Sequence, residues 1–150
     1  MARVRNMVDT SVGIRWIYDV EFAVGPGCPN RSDDVQLVQH ALNTLSAHYT
    51  LKNPNGTLVG YLKRDGIFGT KTKNAIAAYQ GVKKAKPVFI STDGQVSPSS
   101  ATGWTAKGDA QYTIVYLNRD HRDLYGKMME EADFPEPLKT SIKTKKFVEK

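Results

Sequence analysis

The chain has little of what a disulfide-rich, membrane-spanning or metal-dependent protein needs. It has one cysteine, Cys28, and three histidines among 150 residues. A single cysteine excludes an internal disulfide framework, and no neighbour in the segment 25–29 would lower its pKa and so activate the thiol. No hydrophobic run approaches the roughly 18 apolar residues of a membrane span. We therefore expect no membrane partner.

The N-terminal segment also lacks the pattern of a secretory signal. Residues 1–9 are charged and contain no apolar stretch of the kind found in a secretory signal. This predicts synthesis in the cytoplasm without a signal peptide.

Catalytic patterns are equally scarce. The histidines, His40, His48 and His121, form no His-x-His or His-Glu-x-x-His spacing, and no Gly-x-Ser-x-Gly or phosphate-binding glycine loop occurs. The segment 120–123, Asp-His-Arg-Asp, is the one cluster that resembles metal ligands, and a solvated helix start explains it better. The acidic residues offer no pair in a recognisable glycosidase context. We therefore predict a protein that is not an enzyme and that uses no catalytic residue, metal or cofactor.

The charge is unbalanced. Lysine and arginine total 21 against 15 acidic residues, which gives a net charge of +6. Such a balance favours an anionic partner, whether nucleic acid, a wall that carries teichoic acid, or an acidic protein. The basic residues are scattered and form no recognition helix, which argues against nucleic acid. Residues 139–150 carry five lysines and predict a solvated tail or an arm that orders on a partner.

The most informative segment is 65–80. Asp65-Gly66 is a turn pair, because Asp can bond its own backbone and Gly tolerates a positive φ. Phe68 is the large aromatic of the turn and is expected in the core. Gly69 or Thr70 can cap a helix that Gly81 ends after Gln80. The buried stripe of that helix is predicted to be Thr72, Ala75, Ile76 and Tyr79.

The residues before and after this segment also show helix-start and turn patterns. Residues 32–34, Ser-Asp-Asp, offer helix N-caps, and Asp33 with Gln36 has the spacing of a capping box. The apolar stripe that follows is Val35, Val38, Leu42 and Leu45. Further along, Asp93-Gly94 repeats the glycine turn, Val96 supplies an apolar anchor, and Pro98 can start a short helix.

Together these patterns resemble the peptidoglycan-binding domain-like family. The resemblance rests on Val35-x-x-Val38-Gln39-x-x-Leu42, Asp65-Gly66-x-Phe68-Gly69-x-x-Thr72-x-x-Ala75-Ile76-x-x-Tyr79-Gln80 and Asp93-Gly94-x-Val96-x-Pro98. It covers about residues 30–105, and the middle motif matches at every key position. The family consists of small three-helix modules that bacteria and phages append to cell-wall hydrolases. The resemblance thus implies a non-catalytic wall-binding module.

One segment departs from the family pattern. Residues 46–64 intervene between the first helix and the Asp-Gly turn, where the family has a short loop. The sequence Asn-Pro-Asn-Gly at 53–56 is a strong turn signal, so residues 48–51 and 57–62 are predicted to pair as a hairpin. The family's ligand surface is expected nearby, so this insertion could reshape or block the groove.

The flanks predict additional strands and a helix. Residues 11–24 alternate between apolar and mixed faces, which predicts a long half-buried strand, and residues 111–117 are a second candidate. The simplest arrangement pairs the two, although the spare edge could pair with another chain. Asn118 can cap a helix over 119–132, which the segment 134–137 ends.

These elements predict an α+β fold, with a three-helix core, a small antiparallel sheet made from N- and C-terminal strands, and a C-terminal helix. The chain is expected to be one domain, 1–150. Its predicted parts are an N-terminal strand extension at 1–29, the core at 30–105, a strand-helix extension at 106–133 and a basic, flexible tail at 134–150.

The resemblance also indicates where ligand could bind. Tyr61, Lys63, Arg64 and Lys71 surround the central turn and could offer an aromatic platform and cationic groups. Gln39 and Gln80 are the amide positions of the family pattern. The alternative is that the two glutamines, together with Phe68 and Tyr79, are structural, and for these four the structural role is favoured. The structural motif comprises Asp65, Gly66, Phe68, Gly69, Thr72 and Tyr79.

Three functions remain open at this point. The first is a module that binds peptidoglycan or its stem peptides, carried by a phage tail or a contractile injection or secretion machine and delivered with it to the wall or periplasm. The second is a structural or adaptor protein of such an assembly, which keeps the fold without binding wall. The third, a nucleic-acid binder, ranks last.

Overall fold

A computed structural model describes residues 1–6, 16–84, 90, 92–99 and 112–144. The elements, in chain order, are β1 (Arg3–Asn6), β2 (Trp16–Asp19), α1 (Ser32–Tyr49), α2 (Thr70–Lys84), α3 (Thr113–Tyr125), a 3₁₀ turn (Glu131–Asp133) and α4 (Leu138–Thr144). β1 and β2 pair antiparallel, with Val4 opposite Tyr18. The predicted α+β class, with a small antiparallel sheet and a C-terminal helix, is confirmed. None of the helices in these ranges has the length and apolarity to cross a bilayer.

Helix α1 is the centre of the molecule and contacts α2, α3, α4 and β2. Its predicted stripe is fully buried and comprises Val35, Val38, Leu42 and Leu45. The predicted capping was wrong, because Arg31 holds the N-cap position and no side chain caps the helix. The acidic side chains reach the N-terminal segment instead. Asp33 accepts a hydrogen bond from the Ala2 amide, and Asp34 accepts from the amides of Glu21 and Phe22.

Gln36 ties α1 to two distant segments. Its Nε2 donates to the carbonyl oxygens of Arg64, at 3.2 Å, and Glu136, at 2.8 Å. Its Oε1 accepts from the Leu138 amide at 3.0 Å. The residue assigned to a capping box therefore connects the central turn region to the start of α4.

The turn at 65–69 and helix α2 follow the prediction closely. Gly66 has a φ of +75°, and the Ile67 amide donates to the Asp65 carboxylate at 2.9 Å. Phe68 is half-buried and packs against the core. The stripe of Thr72, Ala75, Ile76 and Tyr79 is buried.

The predicted end of α2 at Gly81 was wrong, because the helix runs on to Lys84. Two residues after Gly81 explain the extension: Val82 packs against the core, and the buried Lys83 ammonium lies 3.0 Å from an Asp120 carboxylate oxygen. Asp120 also accepts a 2.5 Å hydrogen bond from the Tyr79 hydroxyl. These tertiary contacts outweigh the weak helix propensity of one glycine.

The side chain of a buried glutamine forms hydrogen bonds with each of the two Asp-Gly turns. Gln39 Oε1 accepts from the Gly66 amide at 3.1 Å, and its Nε2 donates to Asp65 Oδ1, the Ile67 carbonyl and the Thr72 hydroxyl. The side-chain amide therefore satisfies the polar groups of the turn and the first turn of α2 together. We call this arrangement a glutamine clasp.

The second clasp repeats the first. Gln80 Oε1 accepts from the Gly94 amide at 2.9 Å, and its Nε2 donates to Asp93 Oδ1, the Gln95 carbonyl and the Thr113 hydroxyl. Val96, the predicted anchor, is fully buried. Residues 98 and 99 are not helical, and the remainder of the short helix expected after Pro98 lies outside the described residues.

The strand predicted at 111–117 was wrong, because Thr113–Tyr125 is helix α3 (Gln111 lies outside the described residues). Every residue from Thr113 to Leu117 is buried, and such an apolar run gives no decisive period. Asn118 is not a cap but lies within the helix. Its side chain donates to the Tyr18 carbonyl and accepts from the Tyr18 amide, which joins α3 to β2. The helix predicted over 119–132 therefore starts earlier and ends at Tyr125.

The long strand predicted over 11–24 is shorter where it is described. β2 spans Trp16–Asp19, and residues 11–15 lie outside the described residues. Ile17, Tyr18 and Asp19 are all buried, so neither face of β2 is solvated. Beyond Asp19 the chain leaves the sheet, and Val24 forms one isolated bridge, to Val96. The partner of β2 is β1, not residues 111–117 as predicted.

The predicted insertion is part helix and part hairpin. α1 continues to Tyr49, and the turn at 53–56 brings Lys52 opposite Leu58 in a single bridge. Val59 and Leu62 are buried.

The predicted basic tail is also partly structured, because α4 buries Leu138 and Ile142. Residues 145–150 lie outside the described residues.

We expect Gly66→Ala to destabilise the fold far more than Gly60→Ala. The two glycines share nearly the same φ, +75° and +74°, so both variants carry similar backbone strain, about 1 kcal/mol. A Cβ at Gly66 would lie 2.8 Å from the Ser32 carbonyl oxygen, whereas one at Gly60 meets nothing within 4 Å. The clash adds about 2 kcal/mol. Urea unfolding measures both values, and equal losses would contradict this packing.

Candidate functional site

Three adjoining cavities along α1 share lining residues. The first, about 390 Å³, lies between α1, α3 and the 3₁₀ turn. The second, about 300 Å³, shares His40, Thr44 and Asp133 with the first. The third, about 560 Å³, shares Asn43 and Tyr61 with the second. We call these three cavities the α1 groove.

Arg64 and His40 form the centre of the groove. The Arg64 Nη1 donates to His40 Nδ1 at 3.0 Å and to the Asp133 carbonyl at 2.9 Å. Because a guanidinium can only donate, His40 Nδ1 must accept, and the ring proton is on Nε2. Burial, and then the charge of Arg64, lower the pKa of His40 to about 4. His40 is thus a neutral ring with a fixed tautomer at pH 7, and its edge contact with Phe134 holds it in place.

In His121, the donor and acceptor nitrogens are arranged the other way round. Its Nδ1 lies 2.8 Å from the Lys127 carbonyl oxygen, which can only accept, so Nδ1 carries a proton. In the neutral ring, Nε2 is then an acceptor. Tyr125 packs against this ring and donates its hydroxyl to the Thr44 carbonyl at 2.5 Å. Two imidazoles of opposite hydrogen-bonding character therefore line the first cavity.

The position of His121 follows the clasp pattern. His121 lies eight residues after Thr113, as Gln80 lies eight after Thr72. The side chains of Gln39, Gln80 and His121 each form a hydrogen bond with the backbone carbonyl of the residue that follows a glycine of φ +75°. These glycines are Gly66, Gly94 and Gly126, respectively. Histidine thus replaces the third glutamine and leaves one ring nitrogen facing away from the clasp.

The predicted site residues fall into three groups. Tyr61 and Arg64 both line the second cavity of the α1 groove. Lys63 and Lys71 line a separate depression of about 270 Å³ beside the central turn. Gln39 and Gln80 are 1% exposed, and the protein itself uses their amides. The inserted segment contributes Leu58, Tyr61 and Arg64 to the groove lining.

Sequence reasoning missed His40, His121, Tyr125 and Asp133 as groove residues. A signal for His40 was available, because a clasp between Gln39 and Asp65 places their neighbours, His40 and Arg64, side by side. No comparable signal pointed to Asp133, which depends on the path of the chain after α3.

The described residues contain no group of three or more side chains suited to a metal ion. In the segment 120–123, Asp120 points to Tyr79 and Lys83, whereas His121 bonds the Lys127 carbonyl. The two side chains therefore do not act together. Burial raises the pKa of the Cys28 thiol, which disfavours the reactive thiolate.

We expect His40 to make stability depend on pH. Its pKa is about 4 in the folded chain against an ordinary 6.5, so the unfolded chain binds the proton first as pH falls. Stability from this residue is complete above pH 6.5 and declines as pH falls towards 4. Between pH 7 and pH 5, wild type should lose about 2 kcal/mol relative to His40→Gln.

Urea unfolding of both proteins at the two pH values tests this, and NMR titration of the ring reads the pKa directly. Burial raises the pKa of Asp34 to about 6 and acts in the opposite direction, but it is common to both proteins and cancels in the difference. Parallel pH profiles would contradict the assignment.

Comparison with known proteins identifies one family. Residues 31–87 match the model of the family described as "Putative peptidoglycan binding domain". No curated protein and no solved structure matched the chain. The match begins at the residue before α1, includes the first clasp and extends past the end of α2. It supports a peptidoglycan-binding role, with peptidoglycan as the partner. Residues 31–87 of the chain are therefore similar to the peptidoglycan-binding domain family.

Proposed function

We propose that the protein binds peptidoglycan without cleaving it, through the α1 groove and the exposed edge of the central turn. The family match carries this proposal, because His40, Tyr61 and Arg64 lie within it and line one cavity. Tyr61 is 69% exposed and offers an aromatic face for a sugar ring. Arg64 offers a guanidinium, the group best suited to a carboxylate.

Arg64 is held in place before any ligand arrives. Its bonds to His40 and to the Asp133 carbonyl fix the side chain and lower the entropy cost of using it in binding. Lys63 and Lys71 extend the cationic surface into the neighbouring depression. We propose that they contact the same wall polymer, with Gln39 and Gln80 in structural roles.

We expect Tyr61→Ala and Arg64→Ala each to reduce retention on purified sacculi by about five- to ten-fold, which corresponds to about 1 kcal/mol. Phe22→Ala and Lys84→Ala are matched controls, because each removes one aromatic or cationic side chain outside the four described cavities. Both controls should bind like wild type. A cosedimentation assay measures retention. Equal losses in controls and test variants would indicate nonspecific adsorption and count against the site.

We further propose that the protein works within a phage tail or a contractile injection particle and meets the wall on delivery. An adaptor role in such a particle is the alternative, and it is favoured by Leu58 and Ile67, which are 63% and 67% exposed. An adaptor would use these side chains for protein contacts.

Co-purification with the particle separates the two roles. If the protein is an adaptor, Leu58→Ser with Ile67→Ser should release it from the particle, and wild type should not be retained on sacculi. If it is a wall binder, wild type should be retained on sacculi, and the double variant should co-purify with the particle as wild type does.

A further inference from the structure

We propose that the α1 groove takes the stem peptide of peptidoglycan rather than the glycan strand, with one peptide amide held between His40 Nε2 and His121 Nε2. This inference rests on the proposed function and specifies the part of the polymer that is recognised.

The first argument is the complementary character of the two rings. Arg64 forces His40 Nδ1 to accept, so Nε2–H is a donor, and the Lys127 carbonyl forces His121 Nδ1 to donate, so Nε2 of the neutral His121 ring is an acceptor. A peptide group presents one C=O and one N–H. A donor and an acceptor that line the same cavity match both of them.

The second argument is that these two nitrogens lack protein partners. His40 and His121 are each 8% exposed as whole residues, and among the described residues neither Nε2 belongs to the fully buried polar atoms that lack a partner. Within the described ranges, neither Nε2 atom has a hydrogen-bond partner, although each Nδ1 has one. Each Nε2 therefore keeps access from the cavity, and an unpartnered polar atom on a cavity wall is a place where a ligand group can bond.

The third argument is charge. The first cavity carries Lys127 and Glu130, which form an ion pair at its edge, and Asp133; Arg64 lies in the adjoining cavity. Among the described residues, the Asp133 carboxylate has no hydrogen-bond or ion-pair partner. A stem peptide carries carboxylates and, at a diamino acid, an ammonium, whereas the acetamido sugars of the strand are neutral. A lining of both signs therefore complements the peptide.

The size of the first cavity is consistent with this assignment. About 390 Å³ is within the range of ligand pockets and suits a short stretch of peptide. The exposed Tyr61 lines the second and third cavities and not the first, so the sugar that bears the peptide can stack there while the peptide enters the first cavity.

The test compares intact sacculi with sacculi stripped of peptide by an N-acetylmuramoyl-L-alanine amidase. Two soluble probes accompany them: the tetrapeptide L-Ala-γ-D-Glu-diaminopimelate-D-Ala, and a chitin tetrasaccharide as the glycan. We expect retention on intact sacculi, a loss of at least about five-fold on stripped sacculi, and calorimetric binding of the tetrapeptide but not of the tetrasaccharide.

His40→Asn and His121→Asn locate the site. Asparagine can place its amide oxygen or nitrogen near the position of Nδ1, so each variant keeps the bond to Arg64 or to the Lys127 carbonyl and loses only Nε2. Each should bind the tetrapeptide at least about five-fold more weakly, with Lys84→Ala as the unchanged control. Should either fold poorly, Asp133→Asn and Lys127→Ala at the exposed edge replace them and should also weaken tetrapeptide binding.

The outcomes separate the two proposals. Equal retention on intact and stripped sacculi, or binding of the tetrasaccharide alone, would overturn the peptide assignment and leave wall binding standing. No retention on intact sacculi would overturn the proposed function itself. Tetrapeptide binding that is insensitive to every groove variant would place the peptide elsewhere on the molecule.

Discussion

The fold depends on a buried primary amide that satisfies a glycine turn. Each clasp gathers an amide hydrogen, a carboxylate, a carbonyl and a hydroxyl around one glutamine side chain. Without that side chain, the buried Gly66 amide and Thr72 hydroxyl would lose this partner, at about 1–3 kcal/mol for each. Because Gln39 grips both the turn and Thr72, it fixes where α2 begins and the direction in which it leaves α1.

The groove is a consequence of the first clasp. Asp65 is held by Gln39, so Arg64 must lie against the next residue of α1, which is His40. The chain after α3 then completes the wall, because Phe134 packs on the His40 ring and the Asp133 carbonyl accepts from Arg64. A neutral imidazole and a fixed guanidinium thus arise at the surface from contacts whose first role is to satisfy a turn. At the third clasp position, His121 uses only Nδ1 to bond the turn, so its second ring nitrogen, Nε2, does not take part in the clasp.

The sequence predicted the parts of the fold that local chemistry decides. Asp65-Gly66 and Asp93-Gly94 adopt the expected turns, and the stripes of α1 and α2 are buried, because turn geometry and a period of 3.6 are visible in the residues themselves. The start of α3 was not predictable in this way. Residues 113–117 are all buried, so the pattern of their side chains does not distinguish a strand from a helix.

The site was less predictable than the fold. Arg64 and Tyr61 were candidates because of their position before the turn, and the structure places both in one cavity. Asp33 and Asp34 looked like helix caps, but they accept hydrogen bonds from residues 2, 21 and 22, which no local pattern reveals. Asp133 enters the groove through the tertiary path of the chain after α3, which is likewise absent from residue spacing.

Gln36 has a consequence for how the region 31–87 can be used. It joins the Arg64 carbonyl to the backbone at Glu136 and Leu138, so the chain on both sides of the groove shares one anchor. A transplant limited to the family-matched stretch would carry Arg64 but leave Phe134 and Asp133 behind, and it would expose the part of α1 that α4 contacts. Engineering of wall-targeting fusions should therefore graft through the end of α4 rather than stop at the border that sequence similarity suggests.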